Sequence, residues 1–500
     1  MIEGDSARAS TVPRPWLGLM VLALPTLLLA LDVSVLFLAL PHLSADLGAN
    51  GTQQLWIMDI YGFMIAGLLV TMGTLGDRIG RRKLLMIGAA AFGVASILAA
   101  FSTSTEMLIA SRAFLGIAGA TLMPSTMALI STMFPDPGQR ASALGVWLSC
   151  FLGGTALGPL VGGVLVEAFW WGAAFLLGVP IMALLLVAAP RLLPECRDPR
   201  AGNLDLRSVL LSLAAILPVV YGLKELARIG LTAPTLLTLS VGLIAGVIFV
   251  RRQRRLASPL LNLSLFASRS FSAALLVGLM VGAMVGGMFL LVAQHIQLVE
   301  GRTPVEAGLW LVPGSLAMAA SSLLVPRLAR TIRPARVIAG GLLISAAGFG
   351  LMSYGNGVFL TVGFIVANVG LGPLALTYDL VLGSAPSANA GAASSLNETS
   401  GELGLALGIA GMGSLAIAVY RGEAPASLPE AARENLAAAV AADLPADLLN
   451  TARNAFDVAM HVAAAFGTGV FTVLALVTIL LLRHVPPSRS SEHLATITPS

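Results

Sequence analysis

Apolar runs of eighteen or more residues follow one another from Trp16 to Leu482, and they constrain this chain more than any other feature. A membrane-spanning helix needs about 20 mostly apolar residues, and such a helix satisfies its own backbone in lipid. Fourteen runs qualify, at about 16–41, 53–75, 84–101, 107–133, 141–166, 172–190, 207–224, 233–250, 271–298, 307–325, 337–355, 358–382, 392–420 and 459–482. Charged residues make up 11% of the 500, where soluble domains carry about 25%. So few charges cannot cover a soluble protein, and the balance equally excludes disorder, coiled coil and a disulfide scaffold. The first run is too long for a signal-peptide core and more spans follow it, so it is read as a retained helix. Cys150 falls inside a span and Cys196 in a loop, so they are not expected to pair. No Cys/His cluster has metal-ligand spacing.

Charge placement orients the chain. With the N-terminus in the cytoplasm, 22 of the 29 Lys and Arg fall in loops and tails on that side. Six fall opposite (Lys224, Arg228, Arg302, Arg421, Arg433 and Arg453), and Arg112 lies within a span. Basic residues accumulate on the cytoplasmic side of membrane proteins, so both termini are expected there. This also accounts for the pI of about 9.4 without nucleic acid. The expected organisation is a tail (1–15), six spans (16–190), a polar linker (191–206) and two spans (207–250). A basic connection (251–270), six more spans (271–482) and a tail (483–500) complete it. The longest segment between spans, 421–458, is expected on the outer side. It carries Leu428, Ala432, Leu436 and Val440, then Leu444, Leu448, Ala452 and Phe456, at helical spacing. It reads either as a helical hairpin or as a spacer.

Ionisable residues inside apolar helices carry the functional signal. A charge near the bilayer centre costs roughly 2.5–3.5 kcal/mol on insertion scales, so each must face a watery cavity or a partner, or hold a proton. Asp32 sits near the middle of span 1 with no basic residue close in sequence. It is a candidate proton site, against the plainer reading of a structural hydrogen bond. Glu398 and Glu402 in span 13 are spaced i, i+4 and share a helix face, with Asn397 beside them. Two like charges one turn apart repel, so one or both can keep a proton until a cation arrives; the plainer reading is a polar seam. Asp59, with Trp56 and Tyr61 nearby, lies nearer the outer end of span 2. There it could meet a cation with cation–π help, or simply form a solvated helix end. Tyr378 is a further binding candidate, while its neighbour Asp379 reads as a solvated or capping residue.

Three segments carry a family resemblance. Residues 73–85, GTLGDRIGRRKLL, match the major facilitator signature G-x-L-x-D-R-x-G-R-R-x-x-L at every defined position. Span 4 reads LIASRAFLGIAGA, similar to the family's buried-arginine motif through Arg112, Gly116 and Gly119. Span 5 contains G-x-x-x-G-P-x-x-G-G as Gly154, Gly158, Pro159, Gly162 and Gly163, which resembles the superfamily's antiporter motif. LDVSVLFLALP (31–41) looks like the span 1 motif of drug exporters. Together these resemble the fourteen-span drug:proton antiporter branch, relatives of the quaternary-ammonium-compound exporters.

That resemblance implies an all-α polytopic protein of the bacterial cytoplasmic membrane. Two six-helix bundles would surround a central cavity, with spans 7 and 8 as a peripheral pair. Asp77, Arg78, Arg81 and Arg82 would form a cytoplasmic charge latch, Arg112 would serve proton transfer or gating, and the span 5 motif would prevent leak. Asp32, Glu398 and Glu402 would exchange protons for cationic drug. No cofactor is expected beyond the coupling proton. The expected partners are lipophilic cations, protons and the bilayer, with the monomer as the working unit. The alternative is a proton-linked exporter of a native metabolite, lipid or peptide. An enzyme is not expected, because His42, His295, His461, His484 and His493 are scattered without motif partners. A channel would need a polar lining or filter ring, and the acids are too few.

Overall fold

The computed structural model describes residues 15–197, 205–256, 263–329, 331–355, 357–384, 390–442, 444–483 and 485. Both tails, most of the 191–206 linker's second half, part of the 251–270 connection and the side chain of Ser394 lie outside that description, as does Arg330.

The described residues are almost entirely helical: α1 Pro15–Leu47, α2 Gly51–Ile79, α3 Arg81–Ala100, α4 Thr105–Met133, α5 Pro137–Ala168, α6 Ala173–Leu176, α7 Gly178–Leu192, α8 Leu206–Ile229 and α9 Ala233–Gln253. Then follow α10 Arg269–Gln294, α11 Pro304–Ala329, α12 Pro334–Tyr354, α13 Val358–Val369, α14 Leu374–Gly383, α15 Ala390–Glu423, α16 Glu430–Glu434, α17 Leu436–Ala441 and α18 Ala446–Leu482. Among them, 14 helical stretches are long and apolar enough to cross a membrane, with α6–α7 and α13–α14 each forming one. Their outer surface is apolar too. On α9, Leu237, Leu243, Ile244 and Val247 are all exposed, a surface that only lipid accepts at this scale.

Chain reversals lie where polar caps permit them. Asn50 caps α2 in a reciprocal box with Gln53, at 2.9 and 3.0 Å. Ser104, Asp136, Thr232 and Ser268 cap α4, α5, α9 and α10. Each satisfies helix N–H groups that lipid could not.

The two six-helix sets meet along two seams, α2 on α15 and α5 on α11. Small residues set the approach. Glycines 158 and 162 of α5 lie against Ser34 and Val35 of α1, and a Cβ on Gly162 would come 2.8 Å from the Val35 Cα. Gly163 and Gly308 press on the opposing backbones of α11 and α5. Gly404 and Gly408 of α15 do the same to α10, whereas Gly401 faces open space. Such packing uses close backbone approach where no hydrophobic force separates helix from lipid.

Spans 7 and 8 pack chiefly on one another and are mostly exposed, with α8 resting against α2 and α15, where it buries Val220 with Phe63, Ala406 and Ala410. Two expectations need correction. Span 12 is broken after Val369, because Gly370-Leu371-Gly372-Pro373 turns the chain and Pro373 has no N–H to continue a helix. The 421–458 segment is neither a two-armed hairpin nor a spacer. Its first half forms the short α16 and α17, but its second half is the start of α18. Residues 446–466 contain neither proline nor an interrupting glycine, so the amphipathic turns run unbroken into the last span. Tyr420 ties the short helices down by donating its hydroxyl to the Ala432 carbonyl at 2.8 Å.

Candidate functional site

Asp32 is not a lone carboxyl. Its Oδ2 accepts from Arg112 Nη1 at 2.6 Å, with both side chains buried. Arg112 comes from α4, 80 residues away, so proximity in sequence could not reveal the pair. The arginine is held from two further sides. Its Nε donates to the Ile57 carbonyl at 3.1 Å, and its guanidinium lies 4.5 Å from the Tyr61 ring centroid. Gly116 makes this reach possible, because it rests on the Tyr61 backbone where any side chain would collide.

Asp59 lies at a comparable level on another face of α2. It is fully buried, not a solvated helix end, and Lys224 of α8 lies 3.0 Å from Oδ1 and 2.8 Å from Oδ2. Lys224 was expected in an outer loop. It belongs instead to the interior, because α8 continues to Ile229 and carries its ammonium inward. The ammonium also sits 4.0 Å from the Trp56 ring centroid. Tyr61 and Trp56, read together as companions of Asp59, therefore serve different ion pairs.

Glu398 and Glu402 lie on α15 where it crosses α2, and neither takes part in an ion pair among the described residues. The Glu402 backbone carbonyl faces Gly62, the neighbour of Tyr61. Glu402 Oε2 and Tyr61 Oη are both buried without a hydrogen-bond partner among the described residues. Asn397 is half-buried on the same helix. Tyr378 is half-buried on α14 and Asp379 is exposed there. The geometry thus gathers Asp32, Arg112, Tyr61 and Glu402 around one crossing and leaves Asp379 aside. Toward the Asn50 end, Phe37 and Phe289 meet across the halves at 4.9 Å between ring centroids.

The signature loop is folded tightly. Asp77 pairs with Arg81 at 2.6 Å, and Arg81 reaches the Pro124 carbonyl of α4 at 3.4 Å. Arg78 is exposed. Arg82 donates to the Leu193 carbonyl at 2.9 Å and lies 3.6 Å from Glu195. Glu195 was missed. Its carboxylate accepts from the backbone N–H groups of Arg82 and Lys83 at 3.1 and 3.2 Å, so it caps the N-terminus of α3. All these contacts stay within the first six-span set and the start of the linker that follows it. His295 was also underread. It is buried in a π-helical turn, His295–Val299, with Nε2 2.9 Å from Asp457 Oδ1.

Comparison with known proteins fits this geometry. Residues 22–409 match the family model of the Major Facilitator Superfamily. The chain is 45% identical over 474 residues to the multidrug efflux pump LfrA of Mycolicibacterium smegmatis, covering 91% of this chain and 94% of that one. It is 35% identical over 412 residues to the methyl viologen resistance protein SmvA of Salmonella typhimurium, covering 80% and 82%. Among solved structures, a bacterial homolog of the human lysosomal transporter Spinster superposes with a TM-score of 0.68 at 15% identity, over 94% of this chain and 97% of that one. The chain therefore belongs to the Major Facilitator Superfamily, as a multi-pass drug-efflux transporter of the membrane and not an enzyme.

Proposed function

We propose that the protein exports lipophilic organic cations in exchange for protons, by alternating access. One observation carries the reading: two glutamates without ion-pair partners among the described residues lie on α15 where it crosses α2, beside a buried Asp32–Arg112 pair. A carboxylate in such a place must be neutralised, and a proton and an organic cation are two ways to do it. In the proposed cycle, the site opens to the cytoplasm, toward the basic loops, and the glutamates release protons. A lipophilic cation takes their place. The two halves then rock about the α2–α15 and α5–α11 seams, whose close glycine packing favours rigid-body sliding over deformation. From outside, protons return and displace the cation. Asp32 exchanges a proton too, and its protonation frees the Arg112 guanidinium, so that carboxyl couples α1 to α4 during the cycle. The Asp77–Arg81 pair and the Glu195 cap hold the cytoplasmic ends of α2 and α3 together, so that the first half moves as one body. The names of the relatives support the substrate class, since methyl viologen is itself an organic dication.

Purified protein in proteoliposomes tests this. A monovalent and a divalent organic cation, added separately, should each drive measurable proton movement. Response only to neutral or anionic compounds would replace this reading with export of a native metabolite, lipid or peptide.

A further inference from the structure

We infer that Asp59, Trp56 and Tyr221 form a second seat for an organic cation, and that Lys224 occupies it as a built-in competitor. The inference rests on the export reading above and adds to it a site and a residue that limits its use.

The two helices present complementary faces. On α2, Trp56 and Asp59 are three residues apart, and on α8 so are Tyr221 and Lys224. That spacing places each pair on one helix face. Across the contact, aromatic meets aromatic and acid meets base. The Trp56 and Tyr221 ring centroids lie 6.4 Å apart. The Lys224 ammonium lies 4.0 Å from the Trp56 centroid and within 3.0 Å of the Asp59 carboxylate. A carboxylate backed by aromatic faces is the chemistry that holds quaternary and lipophilic cations, and here a tethered ammonium supplies the cation.

Burial of the pair is weak evidence that it is there for stability. A buried ion pair replaced by apolar groups of similar volume is often no less stable. The neighbouring Arg112 offers a contrast. Both cations face a carboxylate and a ring, but Arg112 also donates to the Ile57 carbonyl, and the Lys224 ammonium is carried on a flexible four-carbon stem. The route is graded as well. Tyr221 is 43% exposed, Trp56 is half-buried and Asp59 is sealed behind them. Val220, the residue before Tyr221, packs on Ala406 of α15, one turn from Glu402. The seat therefore adjoins the helix that carries Glu398 and Glu402.

The test is cation binding to purified protein in lipid nanodiscs, with tetraphenylphosphonium and dequalinium as monovalent and divalent probes. Lys224→Met should tighten dequalinium binding about tenfold or more. Adding Asp59→Asn or Trp56→Leu to Lys224→Met should remove the gain. A folded Lys224→Met protein with wild-type affinity overturns the proposal, as does a gain that survives Asp59→Asn. If Lys224→Met does not fold, Lys224→Gln, which can still donate to Asp59, is read in its place. If both fail while Lys224→Met/Asp59→Asn folds, the pair is a structural lock and the proposal falls. Wild-type proton movement is read in parallel, so loss of the export reading and loss of this seat give different results.

Discussion

A carboxyl buried in an apolar helix has different consequences depending on what faces it, and Asp32, Asp59 and Glu402 illustrate three cases. Asp32 and Asp59 each have a cation within 3.0 Å, whereas Glu402 has none among the described residues. Replacing Asp32 by Asn keeps an oxygen for Arg112 but removes the exchangeable proton. The Asp32→Asn protein should insert and remain monodisperse while proton-driven cation efflux in vesicles falls by at least about tenfold. Normal efflux in that variant would remove Asp32 from the coupling scheme. Glu402→Gln should abolish cation-induced proton release while leaving the Asp32–Arg112 pair intact. Unchanged release, measured with a pH-sensitive dye, would place the exchanged proton elsewhere. At this scale the sequence showed which acids fall within apolar spans but not their partners, nor that Asp59 is buried. Arg112 lies 80 residues from Asp32, and Lys224 lies 165 residues from Asp59. Lys224 stands close enough to the end of its apolar run to pass for a loop residue, and only its position three residues after Tyr221 hinted at a shared face.

Among the elements, close packing and caps make the separate helices into two halves that can move as bodies. Gly162 shows the tolerance. A side chain there meets the Val35 backbone of α1, and overpacking of this kind typically costs about 1–3 kcal/mol. Gly162→Val should lower the thermal midpoint and stop transport, and a fully active variant would show that α1 and α5 have slack. Gly80, between α2 and α3, has φ +112° and faces the Glu195 carboxylate. A side chain there is strained as well as crowded, which explains the glycine in the signature loop. The entry to α8 has its own clamp. Burial pushes the Asp205 carboxyl up, but hydrogen bonds from Arg252 and Ser208 outweigh this and hold it below the usual carboxylate range. A lowered acid stabilises the fold above its unfolded value, about 3.9 for Asp, and that contribution is lost as pH falls through the folded value. Amide exchange at the start of α8 should therefore rise on acidification below about pH 4 and lose that dependence in Asp205→Asn. Equal exchange in both proteins would remove the clamp from the account of α8. Helix runs and caps were legible from periodicity and composition. The break at Gly370–Pro373 was marked by its own residues. The fusion of the 444–456 pattern into α18 was not, because helical spacing alone does not say where one helix ends.

On the scale of the whole molecule, the charge balance of the interior bears on energetics. Glu398, Glu402 and Asp32 are the carboxyls proposed to exchange protons, so more than one proton can return for each cation. If two protons exchange for one monovalent cation, each cycle carries one net charge inward. The membrane potential then adds about 2.3 kcal/mol per charge per 100 mV. An inside-negative potential imposed with potassium and valinomycin should accelerate export of tetraphenylphosphonium at equal pH on both sides. Export indifferent to potential would mean one proton per cation.

The sequence by itself determined that the chain is a many-span membrane protein of this superfamily, roughly where its spans run, and which acids fall within them. Those properties depend on the local match between apolar length and bilayer thickness, and on short motifs that each lie within one loop or one helix. The tertiary structure alone decided which charge meets which, that α8 packs against α2 and α15, and that the glutamates of α15 have no ion-pair partner among the described residues. The reason is physical: in lipid a buried charge must find a counter-charge across space or be neutralised by a proton, and sequence separation does not reveal which partner it meets. The identity of the partner is therefore written in how the helices pack and not in any one segment of the chain.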